Sequence, residues 1–302
     1  MFSLPDRSDL ETGSDGLQVN EQYDGVPLVH FPDDSVDDFI DLLQVLYDPS
    51  ALYLKLGTKT LNPDILVSVA GLMRIADKYL IDSIVVSIAK RVKMDWPVTL
   101  EQWDNTLACI RQPEKCDHSQ AHLLHDPLAA IRFATKFDIP EILPAAFYHL
   151  ATIDADGSLK QKDKYGLAPP RWKLLDPENQ MRFIIGRERL YKVALTNVNK
   201  EFDKSGSSIQ PFLVLYKGHS IKCTEKMEGQ RWRVYEDFLK AGFSQRLDPL
   251  RLFQELRKSF TSPDLCGACL ELLGGNLQRQ REDIWRRLPE FFDLQVPKSS
   301  PT

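Results

Sequence analysis

Residues 26–49 read VPLVHFPDDSVDDFIDLLQVLYDP, and residues 66–92 read LVSVAGLMRIADKYLIDSIVVSIAKRV. In the first stretch a short apolar run between Gly25 and Pro32 leads into an acidic turn. Val36, Phe39, Ile40, Leu43, Leu46 and Tyr47 then recur at three- and four-residue intervals. That period predicts a helix with one apolar face, capped by Ser35, with Asp37, Asp38 and Asp41 off the stripe. The second stretch, with Ile65 just before it, predicts a helix burying Ile65, Leu66, Val69, Leu72, Met73, Ala76 and Tyr79. A third helix comes next, carrying Ile81, Ile84, Val85, Ile88 and Val92.

Helix starts recur along the chain. A short polar residue followed by proline caps the free N–H groups and pre-sets the first helical φ at Asn62-Pro63, Asp126-Pro127, Asp176-Pro177, Asp248-Pro249 and Ser262-Pro263. Thr99 and Gln102 have capping-box spacing before Trp103. Strand signals are few: Val26 to Phe31, where Pro27 favours an edge position, and Phe212 to Tyr216. The expected fold is therefore mostly α, an α+β chain with few strands and no internal repeat. Polar stretches rich in Gly, Lys and Pro predict a linker at 154–170, DADGSLKQKDKYGLAPP, and another loop near Lys200 to Ser208; the last six residues, PKSSPT, read as a loose tail.

A length of 302 residues is enough for two compact domains. Net charge is −5, and residues 1–48 hold twelve Asp or Glu against one base, Arg7, so long-range attraction to phosphate backbones is disfavoured. No apolar run approaches the ~20 residues that span a bilayer. The start, MFSLPDRSDLETGSDG, turns acidic before a signal-type apolar stretch forms. An intracellular protein is expected, in the cytoplasm or nucleus, with five scattered cysteines in reduced form.

The stretch 26–49 resembles the strand, acidic turn and helix at the middle of a BTB/POZ domain, with Phe39, Leu42, Leu43 and Tyr47 in matching places. Residues 66–92 resemble its closing helical pair, where Ala76, Lys78, Tyr79 and Leu80 match an Ala-x-Lys-Tyr turn. Asp95-Trp96-Pro97 and Trp103 are similar to the segment just C-terminal to the domain in a group of fungal, basidiomycete-type BTB proteins. The resemblance implies a partial BTB/POZ-like domain at 1–105, a helical extension at 106–153, the linker at 154–170 and a helical C-terminal region at 171–302. MFSLP is similar to the end of an early helix of the family. The resemblance then implies that the opening strands and first helix are missing, as from a reading frame begun at an internal Met, leaving an uncovered apolar helix face.

By that resemblance the chain is a non-enzymatic adaptor whose partners are other proteins, a cullin or a BTB partner among them. The cullin-facing helix corresponds to Ser35 to Tyr47. Homodimerisation through the usual surface is not expected, because its strand and helix are the missing ones. The alternative is a transcription or chromatin regulator whose basic final helix, with Arg279, Arg281, Arg286 and Arg287, touches nucleic acid. Glu282 and Asp283 interrupt its positive field, and Leu277, Ile284, Trp285, Leu288, Phe291 and Phe292 read as a buried stripe.

Two groups have partial metal-ligand spacing. Cys266-x-x-Cys269 is half a zinc site that His219 and Cys223 would complete, and the same cysteines also suit a packed helix start. Cys116, His118, His122 and His125 place two histidines four apart, directly before the Asp126-Pro127 start, which favours a polar loop. No G-x-S-x-G elbow, Walker loop, G-x-G-x-x-G or H-E-x-x-H occurs. No catalytic, cofactor-binding or metal-binding residue is therefore assigned.

Overall fold

A computed structural model of the chain describes residues 22–28, 31, 34–57, 64–111, 126–153, 171–202, 236, 248–259 and 266–295. Among these the architecture is mostly helical. Strands β1 (Gln22–Tyr23) and β2 (Val26–Pro27) form a two-residue antiparallel hairpin, pairing Gln22 with Pro27 and Tyr23 with Val26. The pairing is shorter than the expected run to Phe31. The second expected strand, Phe212 to Tyr216, lies outside the described residues.

The helices are α1 (Val36–Tyr47), α2 (Ser50–Lys55), α3 (Ile65–Ser68), α4 (Ala70–Lys78), α5 (Asp82–Asp95), α6 (Leu100–Arg111), α7 (Pro127–Lys136) and α8 (Leu143–Thr152). They are followed by α9 (Pro177–Phe202), α10 (Pro249–Ser259), α11 (Gly267–Arg286) and α12 (Leu288–Phe291). The polar-proline starts do what their chemistry dictates. Asp126 accepts from the Leu128 and Ala129 N–H groups at 2.8 and 3.4 Å, Asp176 from Asn179 at 2.8 Å and Asp248 from Arg251 at 3.0 Å. Thr99 and Gln102 cap reciprocally, the Gln102 N–H donating to Thr99 Oγ1 and the Thr99 N–H to Gln102 Oε1, both at 3.2 Å. Ser35 stands at the N-cap of α1 but makes no side-chain cap bond. Asn62-Pro63 and Ser262-Pro263 lie outside the described residues.

The expected face of α1 requires correction. Leu42 and Val45 are its buried residues, whereas Val36, Ile40, Leu43, Leu46 and Tyr47 are exposed. The helix is rotated because α4 meets it on the side of Asp38, which shares a face with Leu42 and Val45. Asp38 pairs with Arg74, and Asp34 binds Lys78 Nζ at 2.8 Å and the Tyr79 hydroxyl at 2.6 Å. Gly71 allows the approach, since a Cβ there would strike the Asp38 carboxylate. Phe39 alone of the predicted stripe turns partly inward, 4.7 Å from Phe31 and 6.4 Å from Tyr79 between ring centroids.

A repeat that sequence reading missed emerges at two helix ends. Ala76-Asp77-Lys78-Tyr79-Leu80-Ile81 closes α4, and Ala134-Thr135-Lys136-Phe137-Asp138-Ile139 closes α7. In each, the residue after the aromatic has left-handed backbone (Leu80 φ 56°, Asp138 φ 52°). The following N–H then reaches back to the alanine carbonyl, Ile81 to Ala76 at 2.8 Å and Ile139 to Ala134 at 2.9 Å. A third turn of this kind ends α12, with Asp293 at φ 52° and the Leu294 N–H on the Pro289 carbonyl at 2.8 Å. No glycine marks these caps, which is why they escape a search for glycine C-caps.

The core is continuous from Leu42 to Phe292. α1 packs on α4 and α4 on α5; α3 meets α7, α7 packs on α8, and α12 lies against α8 and α9. Gly186 in α9 makes room for the Phe292 ring, which also stacks on Phe147 at 5.1 Å. α11 closes this end by packing on α6, α9 and α10. No helix among the described residues is long and apolar enough to cross a membrane.

Candidate interaction surface

On α1, successive residues are ~100° apart around the axis. Val36, Ile40, Leu43 and Tyr47 therefore fall within a sector of about 60°, nearly opposite Leu42 and Val45. Their exposures, 73%, 48%, 39% and 88%, identify an outward apolar stripe on a helix whose inner face is already packed. Leu46 and, on α2, Tyr53 and Leu54 are also exposed. A helix apolar on two sides ordinarily has two neighbours, and nothing among the described residues covers the outer one.

The nearby charges are mostly occupied. Asp41 binds Lys55 Nζ at 2.7 Å, tying α1 to α2, and Asp38 is held by Arg74. Hydrogen bonds from Lys78 and Tyr79 hold the Asp34 carboxyl below its usual pKa, and Ser50 does the same for Asp48. Asp37 and Gln44 border the stripe on one side. The surface thus offers apolar contact with one polar edge.

The other concentration of polar groups lies inside. Tyr148 on α8 donates to Asp248 at 2.7 Å and accepts from the Leu250 N–H at 3.1 Å. Arg281 on α11, with a side chain only 4% exposed, reaches Asp104 on α6 at 2.5 Å, the Leu250 carbonyl at 2.9 Å and Gln278 at 3.2 Å. Burial, and then the negative charge of Asp248, push the Tyr148 phenol well above its ordinary pKa. It stays protonated and serves as a donor. The network packs against Trp103, which meets Tyr148 edge-on at 5.2 Å and lies 5.7 Å from Trp285. It works as a clamp joining α6, α8, α10 and α11, with partners separated by up to 177 residues in sequence.

The four arginines proposed for nucleic acid are drawn into protein contacts. Arg281 is in the clamp, Arg279 binds Asn276, Arg286 binds Asp283, and Arg287 binds Glu290 at 2.9 Å while lying 5.0 Å from the Phe291 ring centre. Cys266 is exposed and Cys269 is buried. Their proposed co-ligands His219 and Cys223 lie outside the described residues, as do Cys116, His118, His122 and His125. Among the described residues no group of three or more His, Cys, Asp or Glu could hold a metal ion. Reduced thiols were expected throughout, but Cys109 in α6 is disulfide-bonded.

Sequence periodicity found the residues of the outer stripe and assigned them to the wrong side. It missed Leu42 and Val45 as its core anchors, although Asp38, Leu42 and Val45 have helical spacing themselves. It also missed the Tyr148, Asp248, Arg281 and Asp104 clamp, of which only Asp248 carried a local signal, as a cap. No protein-family model, curated protein or solved structure matches this chain.

Proposed function

We propose that this chain is a non-enzymatic, intracellular protein-interaction protein of BTB/POZ type, acting as an adaptor through the outer face of α1 and α2. The observation that carries the reading is the exposed stripe of Val36, Ile40, Leu43 and Tyr47 on a helix already anchored by Leu42 and Val45. Exposed apolar surface of this extent is costly unless a partner covers it. The BTB resemblance points to the same helix as the one that would face a cullin. The nucleic-acid alternative is less well supported, since Arg281 is turned inward and its basic neighbours are paired with acids or amides.

The test is calorimetric titration of the full chain with a purified cullin N-terminal domain, for the natural protein and for Tyr47→Lys. Binding that falls at least tenfold in the variant supports the reading. The adaptor assignment fails if affinity capture from the source cells recovers the same proteins with the natural chain and with Tyr47→Lys.

A further inference from the structure

We infer that Gly274 and Gly275 form a hinge in α11, about which residues 267–273 swing as a flap while the rest of the helix stays fixed. The hinge shares no residue with the α1 surface and stands whether or not that surface binds a partner.

The first support is that packing does not ask for these glycines. At Gly71 and Gly186 a Cβ would run into the Asp38 carboxylate and the Phe292 ring, so the approach of a neighbour demands glycine. At Gly275 an added Cβ meets nothing within 4 Å among the described residues. At Gly274 it meets the Nε of the flexible Arg257 side chain at 3.5 Å, an ordinary contact. Alanine would fit at both positions. Glycine inside a helix keeps backbone freedom that alanine gives up, and the pair together lowers the local helical population by about 5–30-fold. Both sit in the interior of a 20-residue helix, where sharp bends gather at pairs of small residues.

The second support is that the two sides of the pair are held differently. Beyond it, Arg281 binds Asp104 and the Leu250 carbonyl, Trp285 Nε1 donates to the Val98 carbonyl at 3.3 Å, and Leu277 and Ile284 are fully buried. This part is fastened to α6, to the turn before it and to the start of α10.

The third support is the register of α10 on α11. Leu250 meets Arg281 and Arg257 meets Gly274, so the helices run antiparallel with seven residues of one matched to seven of the other. The fixed part of α11 therefore has most of α10 beside it. Residues 267–273 have only its last turn, past Arg257. They are closed down in the structure, with Cys269 and Leu273 buried. A swing at the pair turns both to solvent and uncovers Leu256, the buried α10 residue next to Arg257. Segments with few neighbours beyond a flexible pair are where lids and hinges arise.

The experiment is amide hydrogen exchange on the full chain, read residue by residue by NMR. It compares the natural protein, the double variant Gly274→Ala/Gly275→Ala, and Gly267→Ala as a control. A bend at the pair breaks the bonds from the N–H groups of 275–278 to the carbonyls four residues earlier, and leaves those of 271–274 intact within the flap. The expected result is a dip in protection at 275–278 between better protected residues at 271–274 and 279–286. The double variant should raise protection at 275–278 roughly 5–30-fold. Gly267→Ala adds the same methyl outside the hinge, where nothing described lies within 4 Å, and should leave the dip in place. Protection that falls steadily toward residue 267 is end fraying and overturns the proposal. Exchange at 275–278 as slow as at 279–286 overturns it too, as does a dip that the double variant leaves unchanged.

Discussion

Replacing Arg281 by methionine removes a guanidinium that binds Asp104 at 2.5 Å and the Leu250 carbonyl at 2.9 Å from a side chain almost wholly inside the protein. Methionine fills similar volume and supplies no donor. Breaking a buried ion pair from one side costs about 3–5 kcal/mol, because the remaining charge is stranded. Asp104 is 26% exposed and recovers some hydration, which places the expected loss near the lower end, ~3 kcal/mol. Asp104→Leu should cost a similar amount. The double variant should lose less than the sum by about 1–3 kcal/mol, because neither charge is then left alone. Urea unfolding followed by the fluorescence of Trp103 and Trp285, which flank the network, reads all four corners of the cycle. A loss below ~1 kcal/mol for Arg281→Met would refute the clamp. It would return Arg281 to the surface, where the nucleic-acid reading needs it.

Gly186→Ala should destabilise the fold by about 1–3 kcal/mol, since its Cβ would collide with the fully buried Phe292 ring; a melting temperature equal to the natural protein's would show that α9 and α12 separate easily. Leu80→Gly should raise stability by ~1 kcal/mol, because the exposed leucine holds a left-handed backbone that glycine adopts without strain; thermal denaturation decides, and a fall in melting temperature would count against the turn. Asp34 and Asp48 sit below the ordinary 3.8, and Glu290, bonded by Arg287, below 4.5. Each carboxyl is more acidic folded than unfolded, so its contribution is present above those ordinary values and lost as pH falls through the depressed ones. Calorimetry between pH 7 and about 2 should therefore show the melting temperature falling once pH drops below 4.5, with a shallower fall for Asp34→Asn.

Local chemistry made much of the fold legible. Asp126, Asp176 and Asp248 before proline, and Thr99 with Gln102, begin helices because each supplies an acceptor that the first free N–H groups need, whatever packs around them. Ile65, Leu66, Leu72, Met73, Ile84 and Ile88 are buried where the helical period puts them, as each of those segments has a single apolar face. The turns after α4 and α7 were written in the chain as Ala-x-Lys-aromatic-x-Ile. The first was noticed as an Ala-x-Lys-Tyr turn by resemblance, but its recurrence after α7 was not, because neither carries the glycine that usually announces a left-handed cap.

Sequence alone determined where helices begin, which residues repeat at helical spacing, and that no familiar catalytic motif is present. For α1 that gave one apolar face, read as the buried one, and passed over Leu42 and Val45, since periodicity reports that a face exists without reporting what lies against it. Tertiary structure decided the rotation: the Asp38–Arg74 and Asp34–Lys78 pairs and the space at Gly71 bring α4 to the Leu42 and Val45 side. The other face, Val36 to Tyr47, is left outward. It likewise decided that Arg281 is a buried strut and not a surface charge, because Asp104, its counter-ion, is 177 residues away along the chain and comes near only when α11 packs on α6.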